Sequence, residues 1–291
     1  MRRVATKFVL YFALISIGYA YLYPLLYMFT TSFMTVEDLV NPTVSWIPTR
    51  LTMENFIRSW NVLEGSKTLL NSVYLSAIPS ILQALVTALI AYGLSRFNFP
   101  FKSLMLFLIL ATFLIPTQVT IVTKYMLFSR LRLVGTPLVS FLPAVTGQGI
   151  RSAIFILLYY NFFNMLPKTF DEAAELDGAN SFQIFYKIIL PLSMPAIVTT
   201  FIFSLVWYWN ETLLTGMLLG NEIKTLPLAL RDFAARFALM FPAADGSAVN
   251  RINEGIRMSA TLMTILPLLI TYLVLQRQFV ESLERTGITG E

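Results

Sequence analysis

An all-α integral membrane protein with six transmembrane helices is the fold class the sequence predicts, and three observations carry that reading. The 291-residue chain is 56% hydrophobic and only 13% charged, about half the charge density of a soluble domain. The charges are gathered so that long windows carry none, and an ionised side chain at the bilayer centre costs roughly 2.5–3.5 kcal/mol even on insertion scales. One polar segment of helical character, 167–191, is set between two strongly apolar stretches late in the chain.

A helix crosses the hydrocarbon core with about 20 apolar residues, so each window can be tested by length. Residues 8–36 carry no charge and predict a first span over 8–30. Arg2, Arg3 and Lys7 ahead of an apolar run containing Gly18-Tyr19-Ala20 imitate a secretory signal, but the run continues to Phe33, longer than such a segment. Uncharged windows predict a second span over 68–95 and a third over 103–123, with Pro116 kinking the far end of the third. Arg151 interrupts the apolar stretch 133–167, so the fourth span is placed at 148–166 with Arg151 snorkelling at its end, and 137–146 is expected to be interfacial or re-entrant. The fifth span, 190–215, carries Glu211, and the sixth is 258–276. Six spans put both termini on one side. The raw count of Lys and Arg disagrees with an inside amino terminus, but the short flanks Arg2, Arg3, Lys7 and Arg96–Lys102 favour it. The expectation is a multi-pass chain with cytoplasmic termini, forming a single transmembrane domain over 1–291 with no internal repeat.

The formal charge of +5 comes without a basic run or an RNA-binding motif, which excludes nucleic acid as a partner and fits Lys and Arg at a lipid surface. There is no cysteine and no histidine, which removes disulfides, Cys/His zinc sites and any nucleophile relying on a His base. No metal site or cofactor is predicted, and no G-x-x-x-x-G-K-[ST] phosphate loop occurs, so the chain is not expected to bind ATP by that route. Paired carboxylates and nucleophile–base pairs at helical spacing are also missing, which argues against an enzyme.

The segment 167–191 is the most informative part of the chain. Thr169-Phe170-Asp171-Glu172 fits a capping box, with Thr169 as N-cap. Gly178 sits where a helix commonly ends in the left-handed conformation. Asn180 with Gln183 can cap a second helix, running amphipathically through 182–190 along the membrane surface, and Pro191 and Pro195 mark the start of the fifth span. At helical spacing Phe170, Ala173, Ala174 and Asp177 share a face, where small alanines beside an aromatic make a shallow knob for a cleft on another protein. An ordinary interfacial hairpin with good capping is the plainer alternative.

The full pattern is more specific than its parts. Glu172-Ala173-Ala174, then Gly178, then Ile188-Ile189-Leu190-Pro191 lies between the fourth and fifth of six predicted spans. It resembles the loop through which the permease subunits of ABC importers dock onto their ATPase. The whole chain is similar to a permease subunit of the carbohydrate-uptake ABC transporters, most like the shorter six-span member of the maltose permease pair. The likeness extends over Asn71-Ser72, Pro167, Trp209-Asn210-Glu211 and Gln276-Arg277-Gln278-Phe279-Val280. It implies a type I permease fold with a cytoplasmic coupling helix hairpin, in a bacterial or archaeal cytoplasmic membrane. The implied partners are a second permease subunit, two ATP-binding subunits that hold the ATP, and an extracytoplasmic sugar-binding protein. Glu172 to Gly178 would be the coupling helix, and the tail beyond Arg277 a further contact with the ATPase.

Candidates for a substrate path are Trp207, Tyr208, Asn210 and Glu211 in the fifth span, with Gln118 and Arg151 near other span ends. Sugars are held by aromatic stacking and by hydrogen bonds to amides and carboxylates, so the residue types fit. An interfacial aromatic belt explains the aromatics equally well. Glu211 is the one acid well inside a predicted span, functional or paired structurally with Arg151 or with another subunit. Arg151 departs from the usual family pattern, apolar at this position, a departure that would suit an anionic sugar. Core hydrogen bonding is the simpler account of Gln118 and Gln148. The rival function is an ion-coupled secondary transporter using Glu211.

Overall fold

The computed structural model describes residues 2–220, 222–242 and 252–287, with side chains described from 6 to 278 within those limits. The chain divides into two compact units, Met1–Lys67 with Ala229–Pro267, and Thr68–Leu228 with Leu268–Glu291. In chain order the helices are α1 (Arg2–Ser32), α2 (Val36–Val40), α3 (Glu54–Leu63), α4 (Gly65–Arg96), α5 (Lys102–Leu114), α6 (Thr117–Arg130), α7 (Leu138–Val145) and α8 (Ser152–Met165). They continue with α9 (Thr169–Leu176), α10 (Ser181–Ile184), a π-helical turn (Phe185–Ile189), α11 (Leu190–Leu192), α12 (Met194–Asn210), α13 (Leu213–Leu219), α14 (Leu226–Arg231), α15 (Phe233–Met240) and α16 (Glu254–Gly287). There is no strand among the described residues. Residues 288–291 and the side chains from Phe279 on, part of the tail expected to touch an ATPase, lie outside the described residues.

Three of the predicted spans are single helices. Thr6–Ser32, Gly65–Arg96 and Glu254–Gln278 are each long and apolar enough to cross a membrane. The third expectation, 103–123, needs correction. The helix stops at Leu114, Ile115 is extended (φ −77°, ψ 117°), and α6 leaves at 98° to α5. Pro116 has no N–H to continue the ladder and disfavours helical backbone in the residue before it. A kink was foreseen, but not a turn near a right angle. The fifth, expected over 190–215, is corrected too. The stretch Ser181–Leu192 meets α12 at 78°, and α12 ends at Asn210 because Glu211 is extended (φ −73°, ψ 102°). The fourth is shorter than 148–166: α8 has 14 residues, about 21 Å at 1.5 Å per residue. The stretch expected to be interfacial or re-entrant, 137–146, contains the separate helix α7.

In the first unit, polar pairs close the packing. The Asn55 amide donates to the carbonyls of Ser32 (3.0 Å) and Met34 (2.8 Å). Ser59 and Ser259 share a hydrogen bond of 2.8 Å, both fully buried. In apolar surroundings such pairs hold helices in register, because an unmatched hydroxyl would be left without a partner.

In the second unit, α4 carries a buried polar stripe of Thr68, Ser72, Ser76, Ser80, Gln83 and Thr87. Ser72, Ser76, Ser80 and Thr87 each donate to the carbonyl four residues back, at 2.6–2.8 Å, which satisfies the hydroxyls within the helix. The small side chains let neighbouring backbones come close. Further along α4, Ala88, Ala91, Tyr92 and Leu94 join Ile156, Tyr159, Phe162 and Phe163 of α8 in one core. That core also takes up Ala174, Ile184, Phe185 and Ile189, and so fastens the polar hairpin to the apolar helices.

Candidate functional site

The hairpin begins with α9. Lys168, not Thr169, is its N-cap, and no side chain caps it, so the expected Thr169–Glu172 box does not form. The amides of Asp171 and Glu172 are already satisfied by the Lys168 carbonyl, at 2.9 and 3.1 Å, and Asp171 is engaged elsewhere. Its Oδ2 lies 2.9 Å from Nε of Arg96, the last residue of α4, in an ion pair shielded from solvent. The Arg96 Nη2 also donates to the Leu166 carbonyl at 3.3 Å. Burial raises the Asp171 pKa above its ordinary value, with Arg96 opposing and Glu175 and Glu172 reinforcing. The sign follows: the contribution of this carboxyl to folding is fullest below the ordinary aspartate range and diminishes as pH rises through the raised value.

The end of α9 is the glycine stop the sequence predicted. Gly178 has φ +82°. Its N–H donates to the Glu175 carbonyl (3.0 Å) while Ala179 N–H donates to Ala174 (2.9 Å). These are the paired bonds of a Schellman motif. The predicted Asn180 cap also forms: the Asn180 side chain accepts from Gln183 N–H and Gln183 Oε1 accepts from Asn180 N–H, both at 2.9 Å. Between these ends Phe170, Glu172, Ala173, Asp177 and Gly178 are exposed, Leu190 is half-buried and Pro191 exposed. Ala174 departs from the expected knob, since it is 7% exposed and packed into the chain's own core. It anchors α9 rather than presenting it. Leu176, which sequence reasoning passed over, is 91% exposed. Its signal was a large apolar residue one turn after Glu172, opposite the face that Ala174 buries.

The second group of candidates lies where α8 begins and α12 ends. Gln83 of α4, fully buried, donates through Nε2 to the Ile150 carbonyl at 2.7 Å and accepts from Ser204 Oγ at 3.4 Å. Ile150 N–H donates to the Tyr208 hydroxyl at 3.4 Å. Gly149 fills the gap between them: a Cβ there would stand 2.4 Å from Gln83 Oε1 and 2.6 Å from the Tyr208 oxygen. Gly149→Val is therefore expected to destabilise the chain by about 2–3 kcal/mol through overpacking, seen as a lowered melting temperature of the purified protein, with Gly149→Ala between it and wild type. Gln83 was missed in the sequence because a lone Gln in an apolar window carries no spacing signal.

Arg151 has φ +54° and occupies the position before α8, with no side-chain bond to the helix's first amides. Its guanidinium carbon lies 4.9 Å from the centre of the Trp207 ring, which itself stacks on Phe155 at 5.0 Å and 26°. Thus Trp207, Tyr208 and Arg151 are brought together. Glu211 is not paired with Arg151. Its Oε1 accepts from Leu214 N–H at 2.7 Å and so caps the start of α13. Asn210 is exposed and its amide returns to the Val206 carbonyl at 2.9 Å. Gln118 is exposed in the first turn of α6, and among the described residues no hydrogen bond or ion pair ties it to the Trp207 group.

Among the described residues the chain is all-helical, with several apolar helices and a polar hairpin fastened to their core, the make-up of a multi-pass membrane protein. Residues 72–285 match the family described as binding-protein-dependent transport system inner membrane component, and the chain belongs to it. It is 30% identical to the polygalacturonan/rhamnogalacturonan transport system permease protein YtcP of Bacillus subtilis, over 97% of this chain and 96% of that one. It is 28% identical to the arabinooligosaccharides transport system permease protein AraQ of Halalkalibacterium halodurans, over 95% of this chain and 96% of that one. In fold it matches a chain of a bacterial ABC transporter involved in the import of the acidic polysaccharide alginate, with a TM-score of 0.75, 21% identity, and 96% and 98% of the two chains covered. The architecture is that of an ABC importer permease.

Proposed function

We propose that this chain is one of two permease subunits of an ATP-driven saccharide importer, forming half of the translocation path. The relatives named for transport of polygalacturonan/rhamnogalacturonan and of arabinooligosaccharides support the substrate class. ATP is bound and hydrolysed by a separate pair of subunits, and an extracytoplasmic binding protein delivers the sugar. The chain sits in a bacterial or archaeal cytoplasmic membrane with both termini inside.

One observation carries the mechanism: α9 is rigidly ended by Gly178 and fastened to α4 and α8, yet leaves Phe170, Glu172, Ala173, Leu176 and Asp177 outward. A short helix with an exposed outer face and an anchored inner face transmits a push. Seated in a cleft of the ATPase, it turns closure of the nucleotide sites into rigid-body motion of the helices it is anchored to. The test is ATP-dependent saccharide uptake by the assembled complex in vesicles, which stops on ATP depletion and persists when ion gradients are collapsed. The opposite pattern overturns the proposal.

Nothing in the geometry favours an ion-coupled transporter built on Glu211, whose carboxylate is occupied in capping α13. Glu211→Gln keeps an acceptor for the Leu214 N–H, so uptake is expected to fall by no more than about threefold. Glu211→Ala removes the cap and is expected to lower stability by about 1 kcal/mol. Uptake assays and thermal melts of the two variants check this. Complete loss of uptake in an intact Glu211→Gln complex would make the carboxylate part of the transport step.

A further inference from the structure

We propose that Arg151, displayed on the face of Trp207, is a recognition subsite for the carboxylate of an acidic saccharide, a uronic acid unit. The proposal rests on the reading of the chain as a saccharide importer subunit and adds the charge of the sugar it takes.

Depth is the first argument. From the Met165 end, where the chain turns into the hairpin, the 14 residues of α8 place its start about 21 Å away. The hydrocarbon core is about 30 Å thick, so Arg151 lies within it and short of the far surface. Trp207 is 13 residues into α12 and Gln83 is 13 residues before the end of α4, each about 20 Å along its helix. Three helices therefore turn polar or break at one level. Irregular backbone at such depth, here 146–151 and 211–212, is tolerated only where it is buried in protein or lines a water-filled cavity. Arg151 is exposed on this chain, and in the proposed subsite its guanidinium lies on the wall of such a cavity.

Charge is the second argument. Among the described residues no carboxylate pairs with Arg151, and the nearby acid, Glu211, is spent on the Leu214 N–H. A guanidinium at this depth that no carboxylate of the described residues engages is suited to a carboxylate brought by the substrate, which it can engage through two parallel N–H donors. The third argument is the platform. Trp207 is stacked on Phe155 and flanked by Phe203 at 5.9 Å, so its position is fixed, and its ring carries the guanidinium in a cation–π contact. The left-handed backbone of Arg151 (φ +54°) aims the side chain back over α12. A positively charged residue held over an aromatic ring offers a carboxylate partner and an apolar surface for sugar C–H groups side by side.

The experiment uses the assembled importer, purified with its own partner permease, ATPase and binding protein and reconstituted in vesicles. Uptake is measured for radiolabelled oligogalacturonides, oligoglucuronides, their methyl esters, and neutral oligosaccharides of the same lengths. The expected result is uptake of at least one acidic oligosaccharide, with its methyl ester taken up at least about tenfold less well, the loss of one charge-assisted pair. Arg151→Gln is expected to lower uptake of the acid by a similar factor and to abolish the preference over the ester. Arg151→Lys keeps part of it, and serves if the Gln variant fails to assemble by size-exclusion chromatography. Uptake of neutral sugars alone, with the same rates in both Arg151 variants, overturns this inference and leaves the saccharide importer standing. Uptake of no saccharide overturns both.

Discussion

Gly178→Asp is expected to leave the chain in the membrane with its partner permease while ATP-driven uptake falls by at least about tenfold. The reason is local. Gly178 holds φ +82°, and a β-carbon there would meet nothing within 4 Å, so the substitution overlaps no neighbour. An L-residue in the left-handed region costs roughly 1–2 kcal/mol, and the new carboxylate stands beside Glu175 and Asp177 at the negative end of α9. Relaxation of the strain opens the two bonds from Gly178 and Ala179 that end the helix, and the outer face of α9 loses its fixed position. Gly178→Asn is the control, because asparagine accepts the left-handed region and adds no charge. It is expected to keep most of the uptake. Uptake and saccharide-stimulated ATP hydrolysis, measured on the same purified complexes, check both variants. Equal rates in the Asp variant and wild type would mean the hairpin transmits nothing.

The second large effect is expected from Arg96→Leu. It removes one member of the shielded Arg96–Asp171 pair, whose side chains are 7% and 15% exposed, and also the donor to the Leu166 carbonyl. Breaking a fully buried pair costs about 3–5 kcal/mol. Residual solvent access to Asp171 reduces this to about 2–3 kcal/mol. The loss falls on the joint between α4 and α9, so the melting temperature should drop and ATP hydrolysis should become independent of saccharide. Arg96→Leu combined with Asp171→Leu removes the stranded charge and is expected to recover part of the stability but not the coupling. A double-mutant cycle on melting temperature separates the two terms.

Much of the architecture was legible because membrane insertion enforces simple rules. Charge-free windows located the helices that run unbroken, α1, α4 and α16. The glycine stop at Gly178 and the Asn180–Gln183 box were legible because each is a local rule that a small set of residue types satisfies. Part of what was not legible depends on contacts distant in sequence. Pro116 announces a break, but a proline alone does not state the size of the turn, which is 98°. The Thr169 box does not form because the N-cap falls one residue earlier, at Lys168, whose carbonyl takes the Glu172 N–H. Ala174 looked like part of an outward knob because spacing alone cannot say which side of a short helix faces home. Gln83 gave no sign at all, since its partners Ile150 and Ser204 come from two other helical segments. Glu211 read as an acid inside a span, functional or paired with a cation, and the helix break at that position lets it accept from the Leu214 N–H.

In the proposed mechanism this chain transmits the work of a separate ATPase through the α9 hairpin. The most direct test is to purify the tagged chain from its native membrane in mild detergent and identify what comes with it, for wild type and Gly178→Asp in parallel. The expected result is a phosphate-loop ATPase and a second multi-span permease with the wild type, and retention of the permease but loss or uncoupling of the ATPase with the variant. A chain that emerges alone, or as copies of itself with no ATPase in several detergents, would contradict it.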